Sequence, residues 1–311
     1  MKAKQSNHSS NTIAGQRPVI SSRKGGKFDN ILAALPFGIG GSKPVVAIFR
    51  LEGVIGKVSS MKSGLTLNSL NKLIEKMFKL ERLDAICLAI NSPGGSPVQA
   101  EIIASRIINL AKEKEVPVYS FVEDVAASGG YWLACAGEKI FVSQSSIVGS
   151  IGVISSGFGF HEAIEKLGVE RRVYTEGKTK SVLDPFKPAK DSDIKIIKKI
   201  QKDIHEHFVN TVKDRRAGRL TQSDDILFNG EFWAGQTAVD FGLVDGINDV
   251  YSFIKDEFGE NVKIEHIEHK QSWLKKRLGM SRLSKEISSD IASSFIETVE
   301  TKLQNSKFDL K

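Results

Sequence analysis

A serine followed by two glycines stands where an apolar strand gives way to a helix. The stretch Val116–Ala136, VPVYSFVEDVAASGGYWLACA, has a β-branched apolar run, then Ser128, Gly129 and Gly130, then a second apolar run. A hydroxyl at the first turn of a helix lies near free backbone N–H groups and the positive end of the helix dipole. That environment favours a developing negative charge and suits a nucleophile of acyl transfer. The alternative is that Ser128 only caps the helix, as many serines at this position do.

A second glycine-containing turn, NSPGGS at Asn91–Ser96, follows the preceding strand of the predicted sheet. Because both turns end parallel strands, we expect them to meet at the carboxyl edge of the sheet. Gly94 or Gly95 from this turn and Gly129 from the other can supply two backbone N–H donors to one oxygen. Such a pair would be an oxyanion hole around Ser128. The alternative is that the glycines serve only to make tight turns.

A serine nucleophile needs a base, and none of the histidines has a convincing setting. The six histidines are His8, His161, His205, His207, His266 and His269. His161 is the only one expected in the core, and no acidic partner stands out for it. His205 and His207 lie two residues apart on a helix and point to different faces. His266 and His269 have metal-like spacing but lack a third ligand nearby, so neither a metal site nor a cofactor is predicted.

Lysine is the other candidate base. Lys178 and Lys180 lie in an irregular stretch, residues 175–190, that contains Gly, Pro and several apolar residues. A lysine packed among apolar side chains loses hydration, which lowers its pKa towards neutrality and yields a free amine. Spacing alone does not choose between the two lysines, and the alternative is that both are solvated surface residues.

Composition and charge narrow the class of protein. The chain has 311 residues, of which 41% are hydrophobic and 26% charged, which is typical of a globular protein with a substantial core. The net charge of +7 is compatible with peripheral contact with a membrane, but no nucleic-acid-binding motif accompanies it. Cys87 and Cys135 have neither disulfide-framework nor metal-ligand spacing. The N-terminus does not resemble a secretory signal, and the apolar run 31–40 is about half a spanning helix, so we expect a cytoplasmic or peripherally membrane-associated protein.

Predicted strands and helices alternate from Pro44 onwards. Strands are predicted at 45–55, 83–90, 116–122, 139–142 and 170–174, and helices at 67–80, 97–112, 160–167, 191–217 and 250–258. The stretch 227–247 is predicted to hold a helix bounded by turns, with a last strand near Leu243. The alternation predicts an α/β fold of stacked βαβ units, with a mainly parallel sheet covered by helices.

Two extensions flank this predicted domain, which covers residues 44–260. Residues 1–43 are rich in Ser, Asn, Lys and Gly and are predicted to form a flexible arm. Residues 261–311 are predicted to form a helical accessory or oligomerisation tail, with helices at 283–292 and 295–303.

Four motifs occur in the order found in a known family. They are NSPGGS (91–96), AASGGYW (126–132), GSIGV (149–153) and GKTKSVLDPFKP (177–188). Together they resemble the signal peptide peptidase A family, which consists of bacterial serine peptidases with a Ser/Lys dyad in the ClpP/crotonase superfamily. The resemblance covers residues 45–246, so it implies a ClpP/crotonase-like fold for the whole predicted domain.

The resemblance implies roles for five residues. Ser128 matches the nucleophile, and Lys180 matches the base, the lysine of the family's G-x-x-K-S-x-x-x-P-F pattern. Ser150 matches a serine that hydrogen-bonds the lysine amine and holds it in place. Gly94 and Gly129 match the donors of the oxyanion hole.

The resemblance also implies a substrate and an assembly. Family members cut hydrophobic peptides, notably leftover signal peptides, in bowl-shaped homo-oligomers, and half-size chains like this one need neighbouring subunits to complete the bowl. Most members carry an N-terminal membrane anchor, and none is visible here, so a soluble peptidase with other peptide substrates is also considered. Two further classes remain open: a crotonase-like acyl-CoA enzyme that uses Glu or Asp, and a non-catalytic scaffold.

Overall fold

The computed structural model of the chain describes residues 43–57, 64–177 and 179–268. Residues 1–42 of the predicted arm, Lys178 and both predicted tail helices lie outside these ranges. Within them, strands and helices alternate as the sequence predicts.

The elements are numbered here in chain order. The strands are β1 Val45–Glu52, β2 Leu83–Ser92, β3 Val118–Ala127, β4 Lys139–Val142, β5 Ile147–Gly149, β6 Phe232–Ala234, β7 Gly246–Ile247 and β8 Lys263–Ile267. The helices are α1 Leu67–Phe78, α2 Pro97–Lys114, α3 Gly129–Ala134, α4 His161–Lys166, α5 Asp191–Arg215, α6 Asp224–Leu227, α7 Gly235–Asp240 and α8 Val250–Phe258. Among the described residues, no helix has both the length and the apolar character needed to cross a bilayer.

The strands form one mixed sheet in which nearly every pairing is parallel. The path runs β6-β5-β3-β2-β1-β8, with β4 paired to both β3 and β7. Among the pairings of the described strands, only β5–β6 is antiparallel. β8 lies within residues 261–311, which were predicted to form the tail. It pairs with β1 and extends the sheet on that side. The predicted α/β class with a mainly parallel, helix-covered sheet is confirmed.

Successive side chains of a strand point to opposite faces of the sheet. Both faces are covered, so the apolar side chains on each of them are buried. One face packs against α1, α2 and α3 and contributes Phe49, Leu88 and Ile90 to the larger core. The other face carries Tyr119 and Phe121, which α8 covers. β3 therefore has apolar contacts on both sides along most of its length.

The helix that follows the NSPGGS turn begins at a well-defined point. The Ser96 side chain accepts a hydrogen bond from the Gln99 N–H at 3.4 Å, and Pro97 occupies the first helical turn. Pro suits that position because its missing N–H would have no helical partner there. The start of α2 therefore fixes where the glycine turn ends.

Two local predictions are wrong. Residues 170–174, predicted as a strand, are not one and are largely exposed, since no neighbouring strand pairs with them. In the stretch 227–247 a strand, β6, precedes the helix, and the last strand is β7 rather than one near Leu243. Leu243 instead lies in the turn after α7, where its N–H donates to the carbonyl of Ala238.

Replacing Asp249 by Ala is expected to lower the free energy of unfolding by about 1 kcal/mol at neutral pH. Asp249 Oδ1 accepts the N–H groups of Tyr251 and Ser252 at 2.9 and 3.0 Å and so caps α8. Hydrogen bonding to Ser252 holds the pKa of Asp249 below its usual range. The contribution is therefore complete above the unfolded-state pKa of about 3.9 and is lost as the pH falls through the lower pKa of the folded protein.

Urea denaturation of both proteins at neutral pH and at about pH 2 measures this difference. The difference in free energy of unfolding between wild type and Asp249→Ala should be smaller at the acidic pH. Asp256→Ala, on the same helix but away from the cap, should stay within about 0.5 kcal/mol of wild type. A gap that is the same at both pH values would contradict the assignment of the cap.

Candidate active site

Ser128 lies at the junction of β3 and α3 with a backbone conformation that few non-glycine residues adopt. Its φ is 52° and its ψ is −120°. Such a conformation costs about 1–3 kcal/mol and persists only where the surrounding structure holds it. The Ser128 side chain makes no capping hydrogen bond, so capping does not explain the serine. A strained strand-to-helix turn is also how other serine hydrolases present a nucleophile.

Contacts on both sides hold this turn. The Ser128 N–H donates to the carbonyl of Gly149 at 2.8 Å, and the Ser128 carbonyl accepts the N–H groups of Tyr131 and Trp132 at 3.0 and 3.1 Å. The Trp132 ring stacks on Phe208 of α5 with 4.5 Å between centroids. Every residue of α3 is buried. The nucleophile candidate is therefore fixed by its neighbours rather than by its own side chain.

The two glycine turns meet at Ser128, as the sequence predicts for the edge of a parallel sheet. A Cβ atom placed on Gly94 would lie 3.0 Å from Ser128 Cβ and 2.9 Å from Gly129 N. A Cβ atom on Gly129 would lie 3.5 Å from Gly95 N. Gly94 also has a φ of +99°, a conformation natural only to glycine.

One N–H group of these turns is already hydrogen-bonded, whereas two others are free to bind an oxygen. The Gly94 N–H donates to Ser92 Oγ at 3.2 Å, and the Ser92 hydroxyl donates to the Gly53 carbonyl at 2.7 Å. The N–H groups of Gly95 and Gly129 have no acceptor among the described residues. Two free donors on facing turns are what a developing oxyanion requires.

Ser150 lies next to Gly149, the backbone partner of Ser128. In the β3–β5 ladder Ala127 pairs with Gly149, and Ser150 follows directly with a φ of 52°. Its N–H donates to the carbonyl of Glu231 at 2.6 Å. The structure thus brings Ser150 close to Ser128, although the two motifs are separate in sequence.

Lys180, in contrast, is not brought to Ser128. It is exposed in a turn, where its N–H donates to the carbonyl of Gly177 at 3.1 Å. No hydrogen bond or ion pair of its side chain to Ser128 or Ser150 occurs among the described residues. Within the part of the chain that the structure describes, Ser128, Ser150 and the two glycine turns therefore come together, but no hydrogen bond joins Lys180 to them.

Residues 152–190, here called the Lys180 segment, are mostly exposed although many of them are apolar. The large apolar residues exposed in it are Ile154, Phe158, Phe160, Leu167, Val169, Tyr174 and Leu183. The segment has some packing of its own, because Arg171 pairs with Asp184 and lies 4.7 Å above the Phe186 ring. Exposed apolar side chains concentrated in this way are typical of surfaces that bind another protein or a membrane.

Comparison with known proteins places the chain in a family. The sequence profile described as "Peptidase family S49" matches residues 110–260. A putative protease of Synechocystis sp. is 31% identical over 200 residues, which cover 64% of this chain and 68% of that protein. This chain belongs to peptidase family S49, the signal peptide peptidase A family.

Other relatives of this S49 member are longer. The putative signal peptide peptidase SppA of Enterococcus faecium is 31% identical over 212 residues, covering 67% of this chain and 61% of that protein. The Brucella melitensis protein named Na(+)/H(+) antiporter NhaA is 47% identical over 234 residues, covering 75% of this chain. The match spans only 32% of that protein's length.

The histidines of the described residues do not contact Ser128 in this S49 member. His161, expected in the core, begins the exposed helix α4 and has a 40% exposed side chain, so that expectation is wrong. His207 Nε2 lies 3.1 Å from Glu101. His205 Nε2 lies 3.1 Å from the carbonyl oxygen of Ile151, a contact that sequence reasoning missed because 54 residues separate the two.

Neither cysteine competes with Ser128 as a nucleophile. Cys87 and Cys135 are buried, and burial raises the pKa of each thiol to about 12. A thiol attacks as the thiolate, which is scarce at neutral pH under these conditions.

Replacing Gly94 by Ala is expected to slow the reaction of Ser128 with a fluorophosphonate by about tenfold or more. The new Cβ would press against Ser128 Cβ, Gly129 N and the Ala127 carbonyl, all within 3.0 Å. Gly259→Ala is the matched control, because Gly259 also has a positive φ, of 83°, but has no atom within 4 Å of an added Cβ.

The measurement is the labelling rate of the folded proteins, with melting temperatures recorded alongside. Both variants should lose some stability through backbone strain, but only Gly94→Ala should react more slowly with the fluorophosphonate. Equal labelling rates in the two variants would show that the Gly94 turn does not shape the site.

Proposed function

We propose that this chain is a serine endopeptidase in which Ser128 is the nucleophile and Lys180 the general base. The observation that carries the proposal is the strained backbone of Ser128, whose side chain makes no capping hydrogen bond, beside the free N–H groups of Gly95 and Gly129. Membership of family S49 supports the choice of peptide bonds over other acyl substrates.

The reaction proceeds through an acyl-enzyme. The neutral amine of Lys180 takes the proton of the Ser128 hydroxyl as the Ser128 oxygen attacks the peptide carbonyl. The oxyanion of the tetrahedral intermediate accepts the N–H groups of Gly129 and of the Gly94–Gly95 pair, within which Gly95 has the free donor. The lysine ammonium then gives its proton to the leaving amine. Water, with the lysine again as base, hydrolyses the ester and regenerates Ser128.

Self-association completes the dyad in this proposal. A lysine acts as a base only when its amine is neutral, and burial next to neutral groups favours that form. Lys180 is exposed in the single chain, on a segment with a concentration of exposed apolar side chains. A second copy that covers the Lys180 segment would both bury those side chains and remove Lys180 from water. Ser150, beside Ser128, would then hold the amine in place, either by accepting a hydrogen bond from it or by donating one to it.

The substrates proposed are hydrophobic peptides such as the remnants of signal peptides. The relative in Enterococcus faecium carries the name of a putative signal peptide peptidase, which supports this class.

Ser128→Ala and Lys180→Ala are each expected to lower peptide hydrolysis by about a thousandfold or more, because either change removes a group that acts in every turnover. Lys178→Ala is the matched control, two residues away in the same motif, and should stay within about twofold of wild type.

Mass spectrometry of peptides cut by wild type but not by Ser128→Ala measures both activity and specificity. Fluorophosphonate labelling should disappear in Ser128→Ala, become much slower in Lys180→Ala, and keep the wild-type rate in Lys178→Ala. Full activity in Lys180→Ala, or loss of activity in Lys178→Ala alone, would contradict the assignment of the base.

Replacing Leu167 by Glu should weaken self-association by about tenfold or more, since it places a charge where the proposed interface is apolar. Leu167 is 76% exposed, so the change should leave the fold of the single chain intact. Tyr251→Glu is the control: Tyr251 is 57% exposed but lies on α8, outside the Lys180 segment.

Sedimentation velocity across a range of concentrations distinguishes these variants. Wild type and Tyr251→Glu should form the same oligomer, and Leu167→Glu a smaller species with reduced peptidase activity. A monomeric wild type that hydrolyses peptides at full rate would overturn the role of self-association while leaving Ser128 as nucleophile.

A further inference from the structure

The three consecutive residues Gly149, Ser150 and Ile151, beside Ser128, each form a hydrogen bond with a different part of the chain. The carbonyl of Gly149 accepts the Ser128 N–H at 2.8 Å, and the N–H of Ser150 donates to the Glu231 carbonyl at 2.6 Å. The carbonyl of Ile151 faces His205 Nε2 at 3.1 Å. The first two bonds come from backbone groups and do not depend on residue type, whereas the third depends on one side chain.

His205 is well placed to act on this turn. It lies on α5, a few residues before Phe208 and Val212, which anchor that helix in the core. A carbonyl oxygen only accepts, so the contact requires that Nε2 of His205 carries hydrogen. This holds for the neutral Nε2–H tautomer and for the protonated ring alike.

Ile151 marks the point where the buried chain becomes the Lys180 segment. Ile151 is fully buried, whereas Ile154, three residues later, is 87% exposed. The direction in which the chain leaves Ile151 determines where the Lys180 segment begins. It also determines the position of Ser150, which precedes Ile151 and has a strained φ of 52°.

We propose that His205 is a positioning residue, which holds the Ser150–Ile151 turn against the nucleophile by donating from Nε2 to the Ile151 carbonyl. This proposal rests on the proposed function for its effect on catalysis. Without the donor, the buried carbonyl has no partner and the turn shifts to hydrate it. The shift moves Ser150 and the start of the Lys180 segment relative to Ser128, which misaligns the reacting groups without changing their identity.

The test compares His205→Phe, which keeps a ring but has no donor, with His205→Gln, whose amide nitrogen can replace Nε2. His207→Phe is the matched control on the same helix, because His207 faces Glu101 and not the turn. In steady-state peptide hydrolysis, His205→Phe should lower kcat by about tenfold or more while KM changes by less than about twofold. His205→Gln should restore most of kcat, and His207→Phe should resemble wild type.

Amide hydrogen exchange measures the same effect without reference to activity. The N–H groups of Ser128 and Ser150 should exchange faster in His205→Phe than in wild type, and at the wild-type rate in His205→Gln. Equal protection in His205→Phe and wild type would overturn the proposal, as would a His205→Gln variant that is as impaired as His205→Phe. If wild type neither cuts peptides nor labels at Ser128, the proposed function fails, and the exchange measurement still decides whether His205 holds the turn.

Discussion

The strained backbone of Ser128 is the constraint on which the site depends. A serine at φ 52° and ψ −120° relaxes unless both flanking elements are immovable. They are held here because β3 has buried neighbours on both faces and α3 is buried throughout. The cost of the strained turn is offset by apolar burial, and the backbone of Ser128 keeps its conformation.

Other parts of the site are arranged around that fixed point. The Gly94–Gly95 turn approaches Ser128 so closely that no side chain fits, and the turn after β5 is tied to Ser128 through Gly149. Lys180, the base of the proposed dyad, is not held in this way, because it lies on an exposed segment. The single chain thus fixes the Ser128 turn, whereas Lys180 is exposed.

Local patterns explain why much of this could be predicted from sequence. The alternation of apolar strands with amphipathic helices predicted the parallel sheet, and the glycine turns at 94–95 and 129–130 fall on its carboxyl edge because parallel strands end there together. These features depend on residues within one strand–turn–helix unit. The positive φ of Ser128 was not predictable, since serine has no intrinsic preference for it.

Features that depend on distant partners were not predictable. Residues 170–174 have strand-like composition but find no neighbouring strand, whereas Lys263–Ile267, in a polar stretch, form a strand because β1 offers a free edge. His161 was expected in the core because a helix pattern does not reveal what covers it. His205 gains its importance from Ile151, which only the folded chain places beside it.

β3 changes its neighbour along its length, and this divides the domain in a way that the sequence does not reveal. It pairs with β4 over Tyr119–Val122 and with β5 over Val125–Ala127, and the Ser146 hydroxyl closes the step between them by donating to the Glu123 carbonyl. Both halves are buried; the first pairs with β4, and the second pairs with β5 and leads directly to Ser128. A single buried strand therefore links the β4 pairing at one end to the Ser128 turn at the other.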